Sequence, residues 1–339
     1  MEPININRKS KRSRVMRFHH RSSLILFVTL VILFFGVGVP QAFAGKKLKV
    51  VTTTTDLASI TQEIGGPYVD VFSIAKGYQD PHFVDAKPSY ILKLQKADMF
   101  VQVGLGLEIG WAPALLDGAR NSDILPGGKG FVDASENVPL LKVPVGDPAT
   151  LRAQGDIHAS GNPHYWLDPL RGKIIAENIY RKLVQLMPEH QKEFASNLEN
   201  FKSRIDAKMA EWQELLLEYQ GAKIVAFHDS WPYFEERFGL QIVTFIEPKP
   251  GIPPTPKHLV KVIKTMKQND VRVIIIAPYY SKKSSGLVAS RTNARVVELA
   301  TSVGAYPEID SYFKLFDYNL NQLIKAFQET GYSPTVPSE

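Results

Sequence analysis

Phe194, Leu198, Phe201, Ile205, Met209, Trp212 and Leu215 recur at steps of 4, 3, 4, 4, 3 and 3, the spacing of one face of a helix. The pattern predicts a helix from about Glu189 to Tyr219, roughly 45 Å long at ~1.5 Å per residue, ended by Gly221. An ordinary amphipathic surface helix would show the same period. Its position midway between two stretches of strand–helix alternation instead points to a rigid connector between two lobes.

Before the connector, Lys49–Thr54, Val69–Ile74 and Asp98–Val103 read as β-rich strands, with a short strand near Phe131. Asp56 is placed to cap a helix over Leu57–Ile64, and Pro88 opens one over Ser89–Lys96. Further helices are predicted over Trp111–Ala119 and from Pro169 to Leu186. The stretch Val143–Asn162, rich in Pro, Gly and Asp, reads as a loop. After the connector come strands Lys223–Phe227, Leu240–Phe245 and Val271–Ile276. Helices follow over Pro232–Arg237, Lys257–Gln268 and Arg291–Val303, then a strand towards Ile309 and a last helix, Tyr318–Thr330. The run Val271–Ile276 is nearly all apolar, as a strand covered on both faces would be. Both halves therefore read as α/β, with parallel sheets flanked by helices.

Charge sharpens the partition. The chain has 40 Lys+Arg against 34 Asp+Glu, but residues 1–23 hold seven of those bases and one acid. The rest is balanced, so the net charge of +6 belongs to the leader. A nucleic-acid partner would require a basic stripe on the body, and that class is excluded. The basic segment to Arg21, the apolar run Leu24–Val39 and the small residues Ala42 and Ala44 read as a signal peptide cleaved after Ala44. An uncleaved anchor is the competing reading, since the apolar run is only slightly short of a span. The chain has no cysteine, so disulfides, thiolate metal sites and a lipidated N-terminal Cys are ruled out. The mature product is expected in a periplasm. We divide the chain into a signal peptide (1–44), an N-terminal lobe (45–187), a connecting helix (188–219) and a C-terminal lobe (220–339).

Six histidines follow the leader. His190 and His258 fall on polar helix surfaces and are expected to face solvent. His82 lies in Gln79-Asp-Pro-His82, His164 in Asn162-Pro-His-Tyr-Trp-Leu-Asp-Pro169, and His228 in Phe227-His-Asp-Ser230. Asp310 ends the expected strand at Ile309. Singly, each could be a cap or a turn residue. Together, two in each half at loops and strand ends, they would suit a tetrahedral metal site closed between lobes.

At these residues the chain closely resembles the cluster A-I solute-binding proteins of ABC transporters, which bind zinc or manganese. The resemblance covers about residues 47–332. It rests on Asp80-Pro-His82 with Lys87-Pro-Ser89, Gly104-Leu-Gly-Leu-Glu108, Asn162–Pro169, His228-Asp-Ser-Trp-Pro-Tyr-Phe234 with Arg237-Phe-Gly-Leu240, and Asp310-Ser-Tyr312. It implies a metal held by His82, His164, His228 and Asp310, and two parallel-sheet lobes joined by one long helix with limited motion between them. It also implies delivery of the ion to an ABC permease and its ATPase in the inner membrane. We expect the protein to act as a monomer.

Three features depart from the family pattern. Tyr90 stands where an acidic residue commonly follows Pro-Ser. Ala277-Pro-Tyr-Tyr280 replaces a Glu-containing turn, and the long His/Asp-rich loop of some zinc members is missing, leaving His158. Three imidazoles and one carboxylate suit zinc, whereas manganese favours more oxygen donors. Family manganese binders tend to carry Glu at the position of His228, so zinc is the expected transported ligand and manganese the alternative. A zinc hydrolase would require an open coordination position and a general base. No His-Glu-x-x-His occurs, and only Asp168 and Glu247 offer themselves as bases. A siderophore or haem binder would need a wide cationic or aromatic cleft, and a surface adhesin would need an anchor.

Overall fold

A computed structural model of the chain describes residues 46–147, 150 and 158–332; the leader and its cleavage site lie outside these. The N-terminal half runs β1 (Leu48–Thr52), α1 (Thr55–Gly65), β2 (Val69–Ser73), α2 (Pro88–Gln95), β3 (Met99–Gln102), α3 (Ala112–Ala119) and β4 (Phe131–Asp133). Two helices follow, α4 (Pro169–Leu186) and α5 (Gln191–Leu215). The C-terminal half runs β5 (Lys223–Ala226), α6 (Pro232–Phe238), β6 (Gln241–Phe245), α7 (Pro256–Gln268), β7 (Val273–Ile276), α8 (Lys282–Thr292), β8 (Arg295–Glu298) and α9 (Tyr312–Glu329).

All strand pairs are parallel, in the orders β2-β1-β3-β4 and β6-β5-β7-β8. The halves thus repeat one topology strand for strand. In each, the chain steps from the first strand to one side and then crosses over to the other. That switch point leaves a crevice at the strands' carboxyl ends, where open α/β sheets bind ligands.

Each sheet packs its outer face on its own cluster. Phe100 of β3 packs with Leu94 of α2 and Leu115 of α3, and Val225 and Ile274 of the second sheet pack with Val262 and Met266 of α7. The inner faces share one continuous core built by α1, α4, α5, α6 and α9. The connector contributes Phe194, Leu198, Phe201, Ile205, Met209 and Trp212, all buried, as its period predicts. Leu215, the last residue of that series, is exposed, because the helix ends there. At 25 residues, α5 is about 37 Å long. It is clamped to α9 by the Trp212 indole N–H donating to Asp317 (2.8 Å) and to α1 by the Arg204–Glu63 pair (2.7 Å).

A second bridge between the halves comes from α1. Thr54, not Asp56, caps this helix by accepting from Leu57 N–H. Asp56 is buried and accepts from the backbone N–H of Val303, and Thr55 Oγ1 donates to Val303 O at 2.6 Å. Burial raises the Asp56 carboxyl to about 7, against the hydrogen bonds it accepts.

The largest departure from the sequence reading lies near the C-terminus. The segment expected as a helix over Arg291–Val303 holds the end of α8 and the strand β8, and no strand runs to Ile309. Residues 304–309 form a turn closed by Gly304 N–H to Ile309 O (2.7 Å), and α9 begins six residues earlier than expected. His190 and His258 are also less exposed than expected. His190 stacks on Tyr68 (ring centroids 3.9 Å apart), and His258 Nε2 lies 3.0 Å from Phe245 O. Among the described residues no helix is long and apolar enough to cross a membrane.

Candidate metal centre

The tripeptides Asp80-Pro-His82 and Asn162-Pro-His164 adopt the same local structure. Asp80 Oδ1 accepts both the backbone N–H of His82 (3.0 Å) and its ring Nδ1 (2.7 Å). Asn162 Oδ1 accepts the N–H of His164 and its ring Nδ1, both at 3.0 Å. A short side chain two residues before each histidine thus locks the turn and the ring together. Trp111 Nε1 donates to Pro81 O (2.9 Å), pinning the first loop. Asn162 Nδ2 donates to Asp229 O (2.7 Å), tying the second loop to the residue after His228.

His228 follows β5, and its Nδ1 lies 2.8 Å from Oε2 of Glu247, two residues beyond β6. All three Nδ1 atoms face carboxylate or amide oxygens, which can only accept, so each ring carries its proton on Nδ1. That leaves the Nε2 lone pairs as donors to a cation.

The three rings converge. Their centroids are 5.1, 5.5 and 5.6 Å apart, and one nitrogen from each lies within 4.8 Å of the others. All three residues are buried. His164 Nε2 is shut off from solvent with no hydrogen-bond partner, a costly state unless something binds there. Burial first, then the neighbouring His82, His228, His158 and Lys142, hold the His164 pKa well below its usual value. It is therefore neutral and ready to ligate at pH 7. Partial burial of Asp80 opposes its charge, yet its bonds with His82 bring its pKa below the usual carboxylate value. A pocket of about 300 Å³, lined by His82, Phe83, Leu107 and Trp111 among others, opens beside His82.

Asp310 is not brought to this group. Its carboxylate is exposed and binds Lys314 at 2.7 Å, next to Ser311, the N-cap of α9. The expectation placed it at the end of a strand that does not form. The strand that does form there is β8, the edge of the second sheet, and the chain leaves it through Leu299-Ala300-Thr301.

Neither residue suggested as a general base is available. Asp168 caps α4 by accepting from Leu170 N–H, and also binds Arg171 (2.6 Å) and Arg237 (2.6 and 2.9 Å). Glu247 is engaged with His228. Glu108, of the Gly104-Leu-Gly-Leu-Glu108 turn, is buried and accepts from Thr53 Oγ1 and the N–H groups of Val103 and Gly104. It holds the β3 exit in place. Gly104 sits at φ +82°, where a Cβ would come within 2.3 Å of Asp133.

Residues 50–326 match the model of the family described as zinc-uptake complex component A, periplasmic (ZnuA). This chain belongs to that family. ZnuA-family proteins are metal-binding solute-binding proteins of ABC transporters, not enzymes. Among its relatives is the manganese ABC transporter substrate-binding lipoprotein PsaA of Streptococcus anginosus, 26% identical over 90% of this chain and 98% of that protein. Another is the metal ABC transporter substrate-binding lipoprotein FimA of Streptococcus parasanguinis, 25% identical over 91% of this chain and 98% of that one. The fold matches a crystal structure of ZnuA with a TM-score of 0.70 at 23% identity, covering 83% of this chain and 99% of that one. A Mn-bound periplasmic metal-binding protein from Candidatus Liberibacter asiaticus matches with a TM-score of 0.67 at 20% identity, over 82% of this chain and 99% of that one. The fold is therefore shared by a ZnuA structure and by a Mn-bound periplasmic metal-binding protein.

Proposed function

We propose that this ZnuA-family chain captures zinc in the periplasm with His82, His164 and His228 and delivers it to an inner-membrane ABC permease and its ATPase. Residues 1–44 are a signal peptide removed after Ala44, and the mature protein works as a monomer. Residues 45–187 and 220–339 form the two lobes about the connecting segment 188–219. The observation that carries this reading is the convergence of three buried imidazoles whose Nδ1 protons are all directed away from a common centre. Such a nitrogen-rich group, with no carboxylate among its members, suits zinc better than manganese.

Manganese is the second reading, favoured by the names of the PsaA relatives. Elemental analysis of protein purified without chelator or added metal separates the two. Zinc at one per chain supports the proposal, and manganese with little zinc would replace it. Thermal unfolding adds an independent check, since an ion bound only by the folded chain raises stability by about 2.7 kcal/mol at a free concentration of 100 Kd. No shift with zinc, manganese, iron or copper would remove the transport reading.

A further inference from the structure

Asp80-Pro-His82 and Asn162-Pro-His164 share one local structure but differ in the side chain that orients the ring. Each first residue accepts its histidine's backbone N–H and ring Nδ1. A carboxylate does this better than an amide, because its charge makes the ring more basic at Nε2. Asp80 has that charge, and among the described residues its carboxylate accepts only from His82. Asn162 lacks the charge and carries an N–H donor instead.

That donor crosses to the other half of the chain. Asn162 Nδ2 bonds to Asp229 O (2.7 Å), the carbonyl one residue past His228. One amide thus orients the His164 ring with its oxygen and grips the backbone beyond His228 with its nitrogen. The Asn162 backbone is itself held from the far side. Its carbonyl accepts from the Tyr233 hydroxyl (2.7 Å), which in turn accepts from Leu141 N–H (3.1 Å). Asn162 N–H donates to Leu141 O (3.0 Å) and closes the ring of bonds. Tyr233, on α6, is buried, with the Arg171 guanidinium 4.5 Å from its ring centre. Hydrogen bonds in such a low-dielectric setting are stronger than exposed ones.

We infer that Asn162 is a positioning residue whose amide sets His164 and His228 relative to each other across the two halves, and that Tyr233 holds this amide in place. The inference rests on the three-histidine reading above. The ion then meets two ligands already spaced by the protein, so less ordering is left to the binding step. Asp at position 162 keeps an acceptor for the His164 ring. It also sets a carboxylate oxygen against the Asp229 carbonyl, two acceptors with no proton between them, and drives the two ligand segments apart.

Zinc competition titrations against a chelator, on the full chain and its Asn162→Asp, Tyr233→Phe and double variants, test this. The sign is diagnostic, because negative charge added beside a cation site tightens binding if nothing else changes. Asn162→Asp should nevertheless bind zinc more weakly, by about 10- to 100-fold, and Tyr233→Phe by about tenfold. The double variant should lose less than the product of the two. Cobalt(II) loaded in place of zinc should show altered visible bands in both single variants, since those bands follow the angles between donors. A merely structural role would lower stability and leave the loaded spectrum unchanged. Zinc bound by Asn162→Asp as tightly as by wild type, or more tightly, would overturn the inference, as would cobalt spectra identical to wild type. Losses that simply multiply in the double variant would also overturn it, because the two residues would then act separately. Should Asn162→Asp not fold, Tyr233→Phe, which removes a single oxygen, carries the test through its affinity and its cobalt spectrum. Failure of wild type to bind zinc, or normal binding by His164→Ala, would instead bring down the underlying reading.

Discussion

Glu247 Oε2 lies 2.8 Å from His228 Nδ1, joining residues 19 apart in sequence at the ends of the adjacent strands β5 and β6. The carboxylate fixes the ring's tautomer and raises the basicity of Nε2, as outer partners of metal-bound histidines do. Glu247→Ala should therefore weaken zinc binding by about 10- to 100-fold with the three histidines intact. Glu247→Gln, which retains an oxygen but not the charge, should lose less. Competition titrations against a chelator of known affinity measure both, and equal affinities in wild type and Glu247→Ala would make the contact merely structural.

Proton competition has a specific sign here. Burial, reinforced by the neighbouring His82, His228, His158 and Lys142, lowers the His164 pKa well below 6.5. Below about 6.5 the unfolded chain takes up a proton at this position that the folded, metal-free chain refuses. His164 thus contributes stability above that value, which is lost progressively as pH falls towards its folded pKa. Zinc affinity should also fall between about pH 7 and 5, because ligating imidazoles must be neutral. The number of protons displaced per zinc should be smaller than the number of imidazoles in the shell, since His164 is already deprotonated. Calorimetry in buffers of different ionisation enthalpy counts those protons, and an affinity flat across this range would exclude histidine ligands.

The Asp168 cluster should carry stability rather than chemistry. Its fully buried carboxylate binds Arg171 of α4 and Arg237 of α6, linking the two halves just behind His164. Asp168→Ala leaves those guanidinium groups without their buried partner. A loss of about 3–5 kcal/mol is expected in urea unfolding of the metal-free protein. Wild-type stability in this variant would show that solvent replaces the pair.

Much of this site can be read from the sequence because its geometry is local. Asp80-Pro-His82 and Asn162-Pro-His164 each carry the ring and its orienting oxygen within three residues, and the proline restricts the turn between them. The connector was equally legible, since Phe194 to Trp212 keep one helical face without interruption. Asp310 was not, because β8 is only four residues long. Its Val296 and Val297 were absorbed into an expected helix, which displaced the strand end by about ten positions. The His228–Glu247 pair depends on the lateral order of β5 and β6, a tertiary fact that no local pattern encodes.

His228 should govern metal preference. His228→Glu exchanges a neutral nitrogen for an anionic oxygen and places it against Glu247, so the site becomes harder and more negative. The ratio of zinc to manganese dissociation constants should move towards manganese, even if zinc still binds more tightly. Paired competition titrations give the ratio. If neither affinity changes, His228 is a structural strand-end residue.

The most direct measurement is calorimetric titration of the metal-free chain with zinc, for wild type, His164→Ala and His190→Ala. Convergence of His82, His164 and His228 on one ion predicts a single zinc per chain in wild type. Tight binding should be lost in His164→Ala and unchanged in His190→Ala, whose ring stacks on Tyr68 away from the group. Wild-type stoichiometry and affinity in His164→Ala would contradict the three-histidine site outright.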